Sequence, residues 1–257
     1  RFCCAFLMTL LQSGLAKSLV SDYTIDQSLR FDGSQYLSRT PGVAGNRKTW
    51  TISFWTKLCG LSNPQKFMCA GSGGSDETYI DIDGNQLTCK FLAAPTWESD
   101  IKFRDPSSWY HWVIAVDTNQ STESDRLKVY VNGEDVTSLG NGVIPAEDLE
   151  PNINQDTLHD IGRLIRNDGH KLESYLAEYY LIDGTQYDAD DFGETDEDTN
   201  QWKPKNASGL TFGTNGFYLK FEDSADLGND SSGEDNDFSV TNLVATDQMK
   251  DSPTNNF

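Results

Sequence analysis

Trp50-Thr-Ile-Ser-Phe-Trp-Thr56 alternates between two kinds of side chain, and this period of two predicts a β-strand. Trp50, Ile52 and Phe54 fall on one face of that strand. The opposite face carries Trp55 between hydroxyl side chains. Because a strand with one strongly apolar face has to bury that face against another layer, the stretch predicts one half of a β-sandwich.

The same alternation returns along the chain and ends at tight turns. Arg126-Leu-Lys-Val-Tyr-Val131 leads into Asn132-Gly133, and Tyr79-Ile-Asp-Ile-Asp83 leads into Asp83-Gly84. Such dipeptides are strong hairpin signals, because the central residues of the turn need a positive φ. Gly, Asn, Asp and Ser clusters separate further short strands, predicted at Ser28–Phe31, Gln35–Ser38, Lys66–Ala70, Trp109–Asp117, Asp160–Arg163, Ser174–Ile182 and Phe217–Phe221.

Long amphipathic helical patterns do not occur in the sequence. Many short strands without crossover helices favour antiparallel sheets. At 257 residues, the economical arrangement is two large antiparallel sheets packed face to face. We therefore predict an all-β fold, a two-sheet antiparallel β-sandwich.

The charge of the chain excludes several partners. Lys and Arg number 20 and Asp and Glu number 40, which gives a formal net charge of −20. Such a surface repels phosphate backbones and anionic lipids, so we expect no nucleic-acid binding. No apolar run reaches the roughly 18 residues that a membrane-spanning helix needs, so we expect no membrane span. Asp188 to Asp237 holds 14 acids against 3 bases. This run indicates either a solvated surface or acidic loops that bind a cation.

The first residues form a separate segment in our prediction, residues 1–27. The positive charge of Arg1 precedes a run, Phe2 to Leu11, that is apolar except for Thr9, and small residues follow, so this end is similar to a short signal peptide. Translation from Met8, or packing as a terminal strand or short helix, are the alternatives. Residues 28–222 are predicted as the folded domain. Residues 223–257 are predicted as an acidic extension that leads into a further domain.

Five segments in order resemble the laminin-G-like domains of the concanavalin A-like lectin/glucanase superfamily. The resemblance covers Ser28 to Gly184 and implies a jelly-roll sandwich. The segments that resemble this family are Ser28-Leu-Arg-Phe-Asp-Gly33 with Gln35-Tyr-Leu37, Trp50-Thr-Ile-Ser-Phe-Trp-Thr-Lys57, Trp109-Tyr-His-Trp-Val113 with Leu127-Lys-Val-Tyr-Val-Asn-Gly133, Ile161-Gly-Arg163, and Leu176-Ala-Glu-Tyr-Tyr-Leu-Ile-Asp-Gly184.

A narrower resemblance is to members of this superfamily in tailed-phage virion proteins. It is seen at Ala16-Lys-Ser18, at Tyr23 to Leu29, at Gly45-Asn-Arg-Lys48 and at Asp251-Ser-Pro-Thr-Asn-Asn-Phe257. It implies a tail-fibre, receptor-binding or decoration module on the virion surface. The partners would be other virion proteins, copies of itself and host glycans. A secreted lectin-like adhesive domain is the alternative.

Enzymatic members of the superfamily hydrolyse β-glucans with carboxylates at alternating positions of one strand. The nearest spacing here is Glu194-Thr-Asp196-Glu-Asp198, whose intervening Thr195 and Glu197 are polar where a buried strand face would be apolar. This stretch therefore indicates an acidic loop, and we predict no enzyme. His111 alternates with core-like residues in Trp109-Tyr-His-Trp112, which favours a structural histidine over a catalytic base.

Four aromatic residues are the candidates for carbohydrate binding. Strand parity places Trp55, Tyr79, Tyr130 and Tyr218 away from the core-facing side chains. Aromatic faces stack on sugar rings, so these residues would form a platform if they share one sheet. The alternative is that loops or a neighbouring subunit cover them.

Calcium at the rim of the sandwich is implied by the resemblance to laminin-G-like domains. The candidate ligands are Asp223, Asp226 and Asp230, followed by Asp235 and Asp237. Carboxylates and backbone carbonyls are the ligands that Ca²⁺ prefers. Solvated loops are the alternative.

Overall fold

The structure, a computed structural model, describes residues 23–61, 64–74, 76–92 and 96–255. Within these ranges the chain forms eighteen strands and five 3-10 helices. The segment proposed as a signal peptide lies outside the described residues. The strands are β1 Ser28–Arg30, β2 Tyr36–Arg39, β3 Thr49–Leu58, β4 Gln65–Gly71, β5 Thr78–Asp83, β6 Gln86–Lys90, β7 Thr96–Ser99, β8 Trp109–Asp117, β9 Leu127–Val131, β10 Glu134–Asp135, β11 Gly140–Gly142, β12 Leu158–Ile161, β13 Ser174–Asp183, β14 Gly193–Thr195, β15 Trp202–Pro204, β16 Phe217–Leu219, β17 Ser239–Thr241 and β18 Gln248–Met249. The 3-10 helices are Glu123–Asp125, Thr137–Leu139, Ile165–Asn167, Ala189–Asp191 and Ala245–Asp247.

Two antiparallel sheets form the sandwich, which confirms the predicted fold class. Sheet A has the strand order β10-β9-β8-β3-β13-β1-β18, with β16 also paired to β13. Sheet B has the order β11-β7-β6-β5-β4-β12-β2-β17. A separate hairpin, β14-β15, belongs to neither sheet.

The core between the sheets follows the predicted parity of β3. Trp50, Ile52 and Phe54 are all fully buried. The Phe54 ring stacks on Tyr179 of β13, with centroids 4.9 Å apart, and on Phe67 of β4 at 5.0 Å. Each such side chain contributes about 1.5–3 kcal/mol by leaving water, so this cluster dominates the stability of the sandwich.

Both predicted hairpins form, one of them a residue later than expected. Asn132 and Gly133 have φ values of 50° and 85° and connect β9 to β10. The turn between β5 and β6 is centred on Gly84 and Asn85, with φ values of 56° and 70°, because Asp83 still pairs with Gln86. A β-carbon on Gly133 would also lie 2.4 Å from the Trp202 ring, so this turn fits only glycine.

A second hydrophobic layer lies on the outer face of sheet A. Residues 185–213, here called the cap, place Phe192 and Phe212 against that face. Sheet A contributes Val113, Tyr180 and Tyr218 to the same buried cluster. A third cluster joins Ile25, Trp55, Trp109 and Ala177 beside it. None of the three buried hydrophobic clusters in the described ranges lies on the outer face of sheet B.

The last described segment belongs to the sandwich. β17 pairs with β2 at the edge of sheet B, and β18 pairs with β1 in sheet A. Ile25 N also donates to Thr254 Oγ1 at 2.8 Å. The boundary predicted after residue 222 therefore does not coincide with the edge of the sandwich, since 223–255 completes both sheets. Among the described residues, no helix has the length and apolar character needed to cross a membrane.

Candidate functional site

The four aromatic residues predicted to bind sugar do not form one platform. Trp55 and Tyr218 do point away from the main core, as parity predicts, but they are 5% and 0% exposed. Tyr130, also on sheet A, is half-buried against the cap cluster. Tyr79 lies on sheet B. The cap covers the rings on sheet A, so Trp55 and Tyr218 are not available to a sugar. Of the four predicted residues, Tyr79 on sheet B remains the candidate.

His111 lies on the outer face of sheet A, under the cap, and its hydrogen bonds fix one neutral tautomer. Trp202 Nε1 donates to His111 Nδ1 at 3.0 Å, and His111 Nε2 lies 2.9 Å from Ser53 Oγ. Because Nδ1 accepts, Nε2 carries the proton and donates to Ser53, so the imidazole cannot act as a base toward that hydroxyl. Burial lowers the pKa of His111 to about 3. The residue is structural, in line with the sequence analysis.

A buried carboxylate that the sequence analysis missed lies on the same face. Glu178 occupies an irregularity of β13 at φ 50°, and its Oε2 accepts from three tyrosine hydroxyls. Tyr180 donates at 2.6 Å, Tyr23 at 2.8 Å, and Tyr218 also donates. Burial raises the pKa of Glu178. These hydrogen bonds hold Tyr23 against sheet A. The sequence signal for the cluster was the charge of Glu178 within an otherwise apolar strand.

Two of the three acids proposed for calcium, Asp223 and Asp230, accept backbone hydrogen bonds. Asp230 accepts from the backbone N–H groups of Tyr218, Ser232 and Asn236 at 2.8–2.9 Å. Asp223 accepts from a backbone N–H two residues later, and Asp226 is exposed. Among the described residues, no three Asp, Glu, His or Cys side chains converge. The three acids do not fit Ca²⁺, because they do not converge on one point and both oxygens of Asp230 already accept backbone hydrogen bonds.

The acidic stretch that resembles a hydrolase spacing lies on the separate hairpin. Glu194 and Asp196 both approach Lys203 Nζ, at 3.4 Å and 3.2 Å. Hydrogen bonds from Thr199 lower the pKa of Asp196 to about 2. A carboxylate this acidic stays ionised and cannot donate a proton to a leaving group at neutral pH. Asp196 caps the hairpin turn, as expected for an acidic loop, whereas Glu194 lies on strand β14, which the prediction of a loop did not include.

The outer face of sheet B carries a row of polar side chains on three neighbouring strands. Lys66 on β4, Asp81 on β5 and Thr88 on β6 lie directly opposite one another. Lys66 and Asp81 are only 1% and 2% exposed, and Lys66 Nζ donates to Asp81 Oδ2. Burial raises the pKa of Asp81 to about 6, although the ammonium opposes that shift. The charge of Lys66 within the predicted strand Lys66–Ala70 was the overlooked signal for this row.

Tyr79 lies in the next row of sheet B and is half-buried. It is opposite Lys90 of β6 and Cys69 of β4. Lys66 Nζ is 3.7 Å from the centre of its ring, and Lys90 Nζ is 5.2 Å away. Burial raises the pKa of Tyr79 to about 12, so its hydroxyl remains a hydrogen-bond donor.

The 3-10 helix Ile165–Asn167 carries the guanidinium of Arg166 and is held beside the start of β5. Glu77, whose side chain is fully buried, accepts from the Arg166 backbone N–H at 2.8 Å. Its second oxygen lies 3.7 Å from Arg166 Nη1. Because Glu77 immediately precedes β5, this contact fixes Ile165–Asn167 beside the strand that carries Tyr79. The side chain of Arg166 is 37% exposed and so remains accessible to a ligand.

A polar cleft of about 570 Å³ lies at the β2–β17 edge of sheet B. Ser38 on the outer face lines it and donates to Asp160. Asp235, Asn236 and Asp237 form the other wall. The hydrogen bonds of Asp230 described above hold that wall in place, so this acid shapes the cleft rather than a cation site.

Comparison with known proteins gives the family. The sequence profile of the concanavalin A-like lectin/glucanases superfamily matches residues 31–168, more than half of the chain. No curated protein sequence matches significantly. Several solved structures resemble the chain at low sequence identity.

A putative carbohydrate-binding protein from Bacteroides ovatus is 14% identical with a TM-score of 0.56, and the match covers 86% of this chain and 61% of that one. A heptameric SAP-like pentraxin from Limulus polyphemus is 14% identical with a TM-score of 0.46, covering 65% and 80%. Domains LG4-5 of the mouse laminin α1 chain are 15% identical with a TM-score of 0.42, covering 66% and 44%. With the profile match over half of its length and the two-sheet sandwich described above, the chain belongs to the concanavalin A-like lectin/glucanases superfamily.

Proposed function

We propose that the chain is a non-catalytic carbohydrate-binding module whose ligand lies on the outer face of sheet B. The observation that supports this most directly is the unequal cover of the two sheets. The cap and the terminal segments bury the outer face of sheet A. The outer face of sheet B keeps a half-buried aromatic ring among fixed hydrogen-bonding groups.

The side chains around Tyr79 match what a sugar requires. A sugar presents an apolar ring face for an aromatic residue and hydroxyl groups for rigid polar partners. The Lys66 ammonium contacts one face of the Tyr79 ring, and the buried ion pair with Asp81 keeps that ammonium in place. A partner that is already rigid loses little entropy when a ligand binds.

The proposal includes the absence of catalysis. Asp81 is buried against Lys66, and Asp83 is exposed at the hairpin end of the same strand. Hydrolysis of a glycosidic bond needs two carboxyl groups that face one substrate in a cleft. The arrangement of these two acids supports binding over bond cleavage.

We further propose that the module is displayed on the surface of a tailed-phage virion, in contact with other virion proteins or copies of itself. The support is the sequence resemblance at residues 16–18, 23–29, 45–48 and 251–257. Purification of the native assembly tests this. Recovery of the chain with DNA-containing particles is the expected result, and recovery as a free secreted protein would contradict it.

A glycan array tests the binding proposal. The wild type should bind a restricted set of glycans, and Tyr79→Ala should abolish that binding because it removes the ring. Tyr130→Ala is the matched control, since it removes the same half-buried side chain from the covered sheet. Circular dichroism establishes that both variants fold. Equal loss in the two folded variants, or no bound glycan for the wild type, contradicts the proposal.

A further inference from the structure

The surroundings of Tyr79 are basic, although the chain as a whole is acidic. The whole chain carries −20, yet the ammonium groups of Lys66 and Lys90 lie 3.7 Å and 5.2 Å from the centre of this ring, and Glu77, two residues before Tyr79, holds Arg166. Burial and then the charge of Arg166 lower the pKa of Lys90, which places the two cations in each other's field. Tyr79 itself experiences the charge of Arg166.

Asp81 and Glu77, two acids near this ring, are buried and already bonded to protein groups. Asp81 accepts from Lys66, and Glu77 holds the 3-10 helix that carries Arg166. Both are at most 2% exposed. Of the exposed acids in this region, Asp83 lies at the hairpin end, Glu98 lies on β7, and Asp168 pairs with Arg163 and Lys171. Lys90 and Arg166 are therefore the charges that a ligand on Tyr79 meets first.

We infer that the ligand is an acidic saccharide, whose carboxylate binds Lys90 and Arg166 while its ring lies against Tyr79. This inference rests on the proposed function. A guanidinium and an ammonium together suit one carboxylate, since arginine binds both of its oxygens and lysine adds a point charge. The buried Asp81 and Thr88 lie in the row beside Tyr79 and each has one oxygen without a protein partner.

The net charge restricts the ligand further. A polysulphated chain would extend beyond the two cations onto a strongly acidic surface, which repels it within a screening length of about 10 Å. A saccharide with an isolated carboxylate avoids that repulsion. Binding of the acidic sugar should weaken as salt concentration rises, because the contact is a partly exposed ion pair.

The test compares ligands that differ only in charge. Calorimetry on the full chain measures the affinity for trigalacturonate and for its methyl ester, after an array of carboxylated, sulphated and neutral glycans. We expect carboxylated glycans to dominate the array and the ester to bind about tenfold more weakly or worse. Lys90→Gln and Arg166→Gln should each remove that difference. The control is Lys48→Gln. Lys48 immediately precedes β3 and pairs with Asp148, so this variant should leave the difference between the two ligands unchanged.

The outcomes separate this inference from the function on which it rests. Preference for neutral or sulphated glycans that is lost in Tyr79→Ala overturns the acidic ligand and leaves carbohydrate binding intact. A preference for carboxylated glycans that survives both charge variants also overturns the inference. Failure to bind any glycan overturns both proposals.

Discussion

The outer faces of sheet A and sheet B present different surroundings to similar residues. Tyr218 and Tyr79 both project outward from their sheets, yet Tyr218 is fully buried and Tyr79 is half-buried. On sheet A, the cap supplies apolar side chains such as Phe192 and Phe212. On sheet B, the polar row Lys66, Asp81 and Thr88 takes the place of an apolar layer.

The difference shows how this chain separates stability from recognition. The covered face adds a second hydrophobic cluster, which stabilises the fold because apolar area leaves water. The open face holds a buried ion pair, which contributes little net stability because both charges lose their hydration. Its value lies in fixed geometry around Tyr79, which suits a binding surface.

The largest expected effect comes from breaking that ion pair. Lys66→Met leaves Asp81 buried without its cation, and we expect the free energy of unfolding to fall by about 3–5 kcal/mol. Denaturant titration measures this. The double variant Lys66→Met with Asp81→Leu should recover most of the stability and still lose glycan binding. If the double variant is as unstable as the single one, the pair itself is the source of stability and the contrast between the faces fails.

Strand parity accounts for much of what the sequence could predict. Alternation placed Trp50 and Phe54 in the core, and it placed Trp55 and Tyr218 on the opposite side. Parity assigns a residue to a face of its sheet but contains no information on what covers that face. The cap could not be predicted from the sequence, because Phe192 and Phe212 are isolated within a polar, acidic stretch.

The polar sites were harder to predict than the core for a related reason. An acid in a loop looks the same whether it binds a cation or accepts backbone hydrogen bonds, as Asp230 does. The pairing of Lys66 with Asp81 depends on the register between β4 and β5, which a single sequence does not specify. Tyr79 was predictable as outward-facing, and its basic neighbours were not.

The next prediction concerns how stability changes with pH, because the titratable groups on the two faces change it in opposite directions. Burial lowers the pKa of His111, on the covered face, from 6.5 to about 3, so the unfolded chain binds a proton that the folded chain refuses. His111 therefore contributes stability above pH 6.5 that is lost as the pH falls toward 3, by about 1.4 kcal/mol for each pH unit. Asp81, on the open face, acts oppositely, since a pKa raised from 3.8 to about 6 contributes stability that is lost as the pH rises through that window.

Unfolding titrations between pH 4.5 and pH 7 check this difference. His111→Gln keeps a donor and an acceptor at the site, and we expect its free energy of unfolding to fall less steeply than that of the wild type as the solution is acidified, by about 2 kcal/mol over that range. His159, also buried with a lowered pKa, should account for part of the dependence that remains. Parallel curves for the two proteins would show that folding does not lower the pKa of His111.

The smallest expected effect tests how the covered face holds the first described residues. Tyr23→Phe removes one of the three hydroxyls that donate to Glu178 and keeps the ring. A hydrogen bond to a carboxylate contributes about 1.5–3 kcal/mol, and two donors remain, so we expect a loss near 1.5 kcal/mol. Hydrogen exchange should quicken at Ile25, whose backbone N–H donates to Thr254, while the amides of β5 keep their protection. Faster exchange in β5 as well would mean that the two faces are coupled through the core, and binding at Tyr79 would then respond to the N-terminal segment.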